Sequence, residues 1–391
     1  MSPRIYEILS NIGALGFLVI VVLFLVDPRG LTTRISAVNT GSQGERNVLA
    51  PEIQRIGTST TEEGKKVPQS EDIISIADIV PSIKSAEEQK QGNDEVTRII
   101  DPYPLPQHDA SFLNQEARSA LINILCESGN SSLKSISGSG VIVDPRGIII
   151  TNAHVAQYVL LSNHSNADVT CKIRVGSPAR AMWYPEIVFF PSKWISKHAS
   201  SIVESSPVGT GEHDYAILRI ARTIDGTPLP NTFHYLPIDT REGIGFAGDP
   251  ILIAAYPAEF GGSAAARDSL YASTVFTNIK QMLTFSEKLV DTISLGGTVL
   301  AQSGSSGGAV INYWGHLIGI VSTTSEGETT QTRDLRAITT AHIDRSVRDH
   351  TGMSLTSLLS QDPQAFAQEF SSEAKVLAGI LVEEVTKKQA P

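Results

Sequence analysis

An all-β fold, sandwich or barrel, is what residues 111 to about 351 predict, and three observations carry it. Eleven short runs rich in Val, Ile and Thr follow one another, separated by Gly, Pro and Asp: 140–144, 147–151, 169–175, 187–190, 215–220, 251–256, 271–277, 289–295, 309–312, 317–323 and 336–340. The helical patterns that alternate with strands in an α/β protein are missing between them. No internal repeat sets a period, so the region is not a solenoid or propeller. An amphipathic stretch, Ala110–Ala120, opens the region as a predicted helix.

The chain has 391 residues, a net charge of −10, two cysteines and 6% aromatics. An acidic balance without a clustered basic excess argues against a nucleic-acid binder. Two cysteines exclude a cystine-stapled scaffold and a four-cysteine zinc site. A mean hydropathy near zero excludes a polytopic membrane protein but hides two opposed segments. From Ile12 to Val26 no side chain is polar. Extended back to Ile8 the run reaches about 28 Å as a helix, close to the ~30 Å hydrocarbon core. Residues 8–26 therefore read as an uncleaved transmembrane anchor. A cleaved signal would need small residues close behind the run, and Ile35-Ser36-Ala37 is far. Arg4 on one side and Arg29 and Arg34 on the other leave the orientation open.

Residues 27–110 contain one aromatic, Tyr103, and over 37–110 thirteen acids face seven bases. Such a stretch buries too little apolar surface to offset its ordering entropy and reads as a disordered acidic linker. The stiff Asp101–Pro106 marks its end.

Three places in the β region carry chemistry. His154, in Thr151-Asn152-Ala153-His154, follows an apolar strand that would hold an imidazole rigidly at its end. Asp214, before the strand 215–220, would aim a carboxylate from a strand end. Ser306 lies in Gly304-Ser305-Ser306-Gly307-Gly308, where glycines let a substrate backbone approach and free the loop to point amides inward. Together they make a His…Asp…Ser set: Ser306 attacks a carbonyl, His154 takes its proton, and Asp214 fixes the imidazole tautomer. The N–H groups of Gly304 and Ser306 would form the oxyanion hole.

On these residues the chain from roughly 118 to 349 resembles the chymotrypsin-fold, trypsin-like serine proteases, and among them the HtrA-like branch. The likeness rests on SGSGVIVDPRGIIITNAHV (137–155), HDYAILRI (213–220), AGDPILIAAYPAEFGG (247–262), AQSGSSGGAVIN (301–312) and HLIGIVS (316–322). It implies two six-stranded antiparallel β-barrels with the triad in the cleft between them. Digestive-type relatives have an Asp before the nucleophile, which pairs with a freed N-terminus; Ser305 stands there, which points to activation by loop ordering. Leu300 occupies the place where relatives selecting Lys or Arg carry an acid, with Ser322, Thr323 and Thr324 as the adjoining pocket wall. That pocket favours a small or medium aliphatic side chain. HtrA-like relatives are often trimers assembled through residues before the first barrel, where Tyr103 and Phe112 lie.

The resulting organisation is an anchor at 8–26, a linker at 27–110, a protease domain at 111–351 and a helical tail at 352–391, too short for a PDZ domain. Ahead of the tail, Ala341–His350 reads as a helix. Phe366, Phe370, Ala374, Leu377, Leu381 and Val385 then form an apolar stripe, with Asp362-Pro363 as N-cap and first residue. It packs on its own domain or mediates self-association. Lys193–Glu212 reads as a surface insertion. Cys126 and Cys171 are either two buried hydrophobes or one disulfide. Asn130 and Asn163 match the glycosylation sequon. No metal-ligand spacing or phosphate loop occurs, so no cofactor or metal is expected.

The expectation is a single-pass membrane protein whose extracytoplasmic domain (periplasm or cell surface) cleaves polypeptides in protein quality control. Two alternatives compete with it. One is a catalytically silent protease fold acting as a binding or chaperone module. The other is an α/β-hydrolase elbow at Ser306 with Asp334 and His342, which requires a helix where 309–312 reads as a strand.

Overall fold

The computed structural model describes residues 90–91, 96–129, 132–204, 211–258, 269–285, 289–325 and 329–389. The proposed anchor, most of the linker and Asn130 lie outside them. Among the described residues no helix is long and apolar enough to cross a membrane.

The first half of the domain is a closed six-stranded antiparallel barrel in the order β2-β3-β4-β7-β6-β5. Its strands are β2 (Leu121–Ser128), β3 (Ile136–Asp144), β4 (Ile148–Thr151), β5 (Val169–Val175), β6 (Arg180–Phe189) and β7 (Ala216–Thr223). The tight β3–β4 turn follows from Asp144-Pro145-Arg146-Gly147. Pro145 presets the first central position, while Asp144 Oδ1 accepts the Arg146 N–H at 2.8 Å. All four residues of β4 are buried, which is why that segment is a continuous apolar run without alternation. Cys126 and Cys171 are directly opposed across β2 and β5 and joined as a disulfide, which settles the two readings of the cysteines.

The second half is an eight-stranded sheet, β1-β10-β11-β14-β13-β12-β8-β9, and not a second closed barrel. Its members are β1 (Lys90–Gln91), β8 (Pro250–Ala255), β9 (Ser273–Asn278), β10 (Gln281–Thr284), β11 (Thr292–Gly296), β12 (Ala309–Asn312), β13 (Leu317–Thr324) and β14 (Leu335–Thr339). The winding nevertheless repeats that of the barrel, with β9 and β10 standing for one strand broken at Ile279-Lys280. Before the break the chain pairs with β8 and after it with β11. At the break the Ile279 N–H turns to the Asp249 carbonyl and Lys280 N–H to that of Ser294. A core of its own fills this half, with Ile251, Ile253, Val310, Val321 and Ala337 among its members.

Helix α1 (Ala110–Ala120) stands where the sequence predicts it, capped by Asp109. Two helices are unexpected: α2 (Ala153–Ser162) and α3 (Ser192–His198). Eight of the ten residues of α2 are buried, so no polar face gives it a helical period in the sequence. The stretch read as a surface insertion buries Trp194, Ile195 and Ile202 and so belongs partly to the core.

At the C-terminus α4 (Thr340–Thr351), α5 (Leu355–Ser360) and α6 (Pro363–Gln389) follow β14. Asp362 caps α6 as predicted, its Oδ1 accepting the Ala365 N–H at 2.7 Å. The stripe of α6 packs on its own domain: Phe370, Leu377, Leu381 and Val385 are buried against β6, α2 and the 3-10 turn Ala199–Val203.

The end of the linker is also a correction. Residues 96–109 are not a free tether but a strap on the second sheet. Arg98 pairs with Asp249 at 2.7 Å. Tyr103 stacks on His316 with centroids 4.2 Å apart, and its hydroxyl donates to Asp239 and accepts from Asn312. The Trp314 indole donates to the Leu105 carbonyl. Tyr103 is thereby engaged within its own chain, whereas Phe112 remains 42% exposed.

Candidate active site

His154 is the second residue of α2, not the end of a strand. The chain leaves β4 at Thr151 and turns into helix immediately, so the imidazole is fixed by both elements. Asp214, 5% exposed, lies just before β7. It accepts His154 N–H on Oδ1 at 2.9 Å and faces His154 Nδ1 from Oδ2 at 2.8 Å. Ser322 donates its hydroxyl to the same Oδ2 at 2.8 Å, and the Asn152 side-chain amide donates to the Asp214 carbonyl. Nδ1 thus carries a proton toward the acid, which leaves Nε2 as the acceptor.

The residues flanking Asp214 are themselves anchored. His213 has φ +60°, in the left-handed region. Its Nδ1 lies 3.1 Å from Ser346 Oγ on α4, and Tyr215 donates to the same oxygen at 3.0 Å. Burial pushes His213 down to about 4, so its ring is neutral near neutral pH.

Burial raises the carboxyl of Asp214, but the His154 charge and the bonds from His154 and Ser322 outweigh it and hold it below its ordinary value. For His154 burial acts against the charged ring, and the attraction and hydrogen bond of Asp214 win, so its value is raised. The sign of the linkage follows for each group. The contribution of His154 is complete below 6.5 and is lost as pH rises through its raised folded value; that of Asp214 is complete above 3.8 and is lost as pH falls through its lowered one. If His154 is the general base, it must be neutral. The acid limb of kcat/KM is therefore expected to have its midpoint above 6.5, and a pH–rate profile with a limb at or below 6.5 would show that Asp214 does not govern the base.

Ser306 lies on the loop between β11 and β12. Gly304 has φ +91°, and a Cβ there would come within 2.6 Å of the Tyr256 carbonyl. Gly307 has φ +83°, and its Cβ would stand 2.1 Å from Ser139 O. Only glycine fits either position. Gly307 N–H donates to Val321 O and Val321 N–H to Gly308 O, so the loop is stitched to β13 just before Ser322. Among the described residues the N–H groups of Gly304 and Ser306 have no protein acceptor. Ser306 Oγ donates to the Ser322 carbonyl at 3.4 Å, and no hydrogen bond joins it to His154 among the described residues. Ser305 is 1% exposed, its hydroxyl without a partner.

The predicted pocket is only partly assembled. Leu300 has no exposed surface and belongs to the second core, so it lines no open cavity. The hydroxyl of Ser322 serves Asp214 instead of a pocket wall. The side chains of Thr323 and Thr324 lie outside the described residues. The elbow reading fails on two counts. Ala309–Asn312 is strand β12, and Asp334 and His342 bond instead to Ser294 and Asp291. No group of His, Cys, Asp and Glu among the described residues is placed to hold a metal.

Sequence reasoning missed two contributors. Ser139, wholly buried on β3, contacts the loop that carries Ser306; a serine set between Gly138 and Gly140 just ahead of the apolar run Val141–Val143 is the signal that marks it. Asn152, quoted within the His154 motif but given no role there, donates its side-chain amide to the backbone carbonyl of Asp214.

Residues 138–320 match the family model of the trypsin-like peptidase domain. Among solved structures, the chain is similar to the HtrA-type protease AlgW with a tripeptide, at 19% identity and TM-score 0.41, over 63% of this chain and 65% of that one. It is also similar to a serine endoprotease from Yersinia pestis (21%, TM-score 0.39, 63% and 69% covered). A third match is Deg5 (17%, TM-score 0.39, 61% and 90% covered). The match thus spans just under two thirds of the AlgW chain. No curated protein matches.

Proposed function

We propose that this chain, a serine endopeptidase with a trypsin-like peptidase domain at 138–320, cleaves polypeptides through His154, Asp214 and Ser306. The observation that carries the reading is the buried Asp214 bonded to both the ring and the backbone of His154. Ser306 attacks the scissile carbonyl, His154 Nε2 takes its proton and returns it to the leaving amine, and water releases the acyl-enzyme. The N–H groups of Gly304 and Ser306 receive the oxyanion. Rotation of the Ser306 hydroxyl from the Ser322 carbonyl toward His154 belongs to substrate engagement, since such bonds tighten in the bound complex. Leu300, where an acid would stand, supplies no carboxylate to pair with a Lys or Arg side chain of the substrate.

In the same reading residues 8–26 anchor the protein in a membrane. The acidic segment behind it gives the domain lateral reach for exposed or unfolded polypeptide, in quality control. The Cys126–Cys171 disulfide supports an extracytoplasmic, oxidising setting. Phe112, exposed ahead of the barrel, is the residue left to support a trimer contact.

The test uses the full chain in detergent. A fluorophosphonate probe is expected to label wild type at Ser306 but not His154→Ala, and casein to be degraded by wild type but not by Ser306→Ala. The second reading, a silent binding module, is favoured by the Ser306 hydroxyl facing Ser322. Absence of labelling and of casein cleavage under every condition would favour that reading instead.

A further inference from the structure

We infer that Ser139 is a positioning residue that holds the nucleophile loop in its reactive shape; the inference rests on the proposed endopeptidase reading. Ser139 lies on β3 with no exposed surface, and each of its polar groups is engaged. Its N–H donates to the carbonyl of Ser306 at 2.7 Å. The hydroxyl donates to the carbonyl of Gly304 at 2.7 Å and accepts the N–H of Tyr256, at the end of β8, at 2.9 Å. Thr151, three residues before His154, donates its hydroxyl to the Ser139 carbonyl at 2.7 Å.

One buried serine therefore ties together four parts of the site. It reaches the segment that leads to the base, the strand β3, the end of β8 and two carbonyls of the nucleophile loop. Those carbonyls belong to the residues whose N–H groups are to receive the oxyanion. By holding the carbonyls of Gly304 and Ser306, Ser139 fixes the peptide planes that directly follow the two N–H groups, which among the described residues have no protein acceptor. The contact is close enough that Gly307 tolerates no Cβ beside Ser139 O. Only a short side chain that donates and accepts at once serves both Gly304 O and Tyr256 N–H. In Ser139→Ala two buried backbone groups lose their partner, and the loop gains an alternative to its reactive shape.

The expected result for Ser139→Ala is a fall in kcat of about 10²-fold, the scale of a misplaced reacting group, with KM changed much less. Fluorophosphonate labelling slows in parallel, while the pH midpoint of the acid limb stays put because the His154–Asp214 pair is untouched. Ser139→Cys, which keeps the size and a weak donor, recovers part of the loss. Asn123→Ala is the control: it removes another fully buried polar side chain of the same barrel, bonded to Ser137, Gly138 and Arg174. It is expected to lower Tm with kcat retained. Amide hydrogen exchange of full-length protein gives a readout independent of turnover, with Tyr256 and residues 303–307 exchanging faster in Ser139→Ala. Unchanged exchange there would overturn the inference, and so would a kcat loss no larger than that of Asn123→Ala. An inactive wild type with faster exchange in Ser139→Ala would instead sink the endopeptidase reading and leave the clamp standing.

Discussion

Asp214→Asn is expected to lower kcat by about 10⁴-fold, the loss that follows when the acid of a Ser-His-Asp set becomes an amide. The carboxylate accepts on both oxygens, from His154 N–H on one and from the His154 ring and Ser322 on the other. An asparagine offers one oxygen and one NH₂ group, so at least one of these donors then meets another donor. If the amide keeps the backbone bond, its NH₂ faces the ring and selects the tautomer with the proton on Nε2. That nitrogen then cannot accept a proton from Ser306. Removing the negative charge also removes the interaction that raises His154, so the acid limb of the residual activity moves to lower pH. Steady-state kinetics on a peptide substrate over a pH series measure both effects. A loss below 10-fold, or a limb that does not move, would mean that Asp214 does not orient the base.

Deleting residues 362–391 is expected to abolish cooperative folding or to lower Tm by well over about 10 °C. Phe370, Leu377, Leu381 and Val385 are each buried in the interface of α6. At about 1.5–3 kcal/mol for each such side chain, the four account for roughly 6–12 kcal/mol. That is comparable to the whole stability of a typical domain, about 5–15 kcal/mol. The effect also reaches the site, because α6 packs on α2, whose second residue is His154. Leu381→Ala, at a residue with no exposed surface, is expected to cost about 2–5 kcal/mol and gives a graded version of the same measurement. Scanning calorimetry decides the matter, since a deletion that leaves Tm within about 2 °C would make α6 an appendage.

The first barrel was legible because its strands are punctuated by Asp-Pro and Gly and alternate or run apolar in short lengths. The pairing of His154 with Asp214 was legible because each stands beside an apolar strand, and Ser306 drew notice because it lies among glycines. What escaped has physical reasons. Helix α2 is buried almost all round and carries no amphipathic period. The strand β2 (Leu121–Ser128) follows α1 without an intervening turn signal, so nothing separates the two in the sequence. The broken second strand of the second sheet depends on where the backbone of Ile279 and Lys280 finds partners, and those lie far off, at Asp249 and Ser294. The strap at 96–109 carries three prolines and no strand or helix pattern, so nothing local marks it as packed, yet Arg98, Tyr103 and the Leu105 carbonyl each meet specific partners. Ser322 was placed by resemblance as a pocket wall, but which way a hydroxyl turns is decided by the nearest buried charge, here Asp214.

The strap has a mechanical consequence. Every polar contact named for residues 96–108 is made to the part of the chain between Asp239 and His316, and none to the first barrel. A pull arriving along the chain from the N-terminal side is therefore borne first by the pairing of β1 with β10, and then by the Arg98–Asp249 pair and Tyr103 seated on His316. Helix α1 and the first barrel feel it only after those have yielded. The strap works as a strain relief, with the load path running into the second sheet while His154 rests on the first barrel.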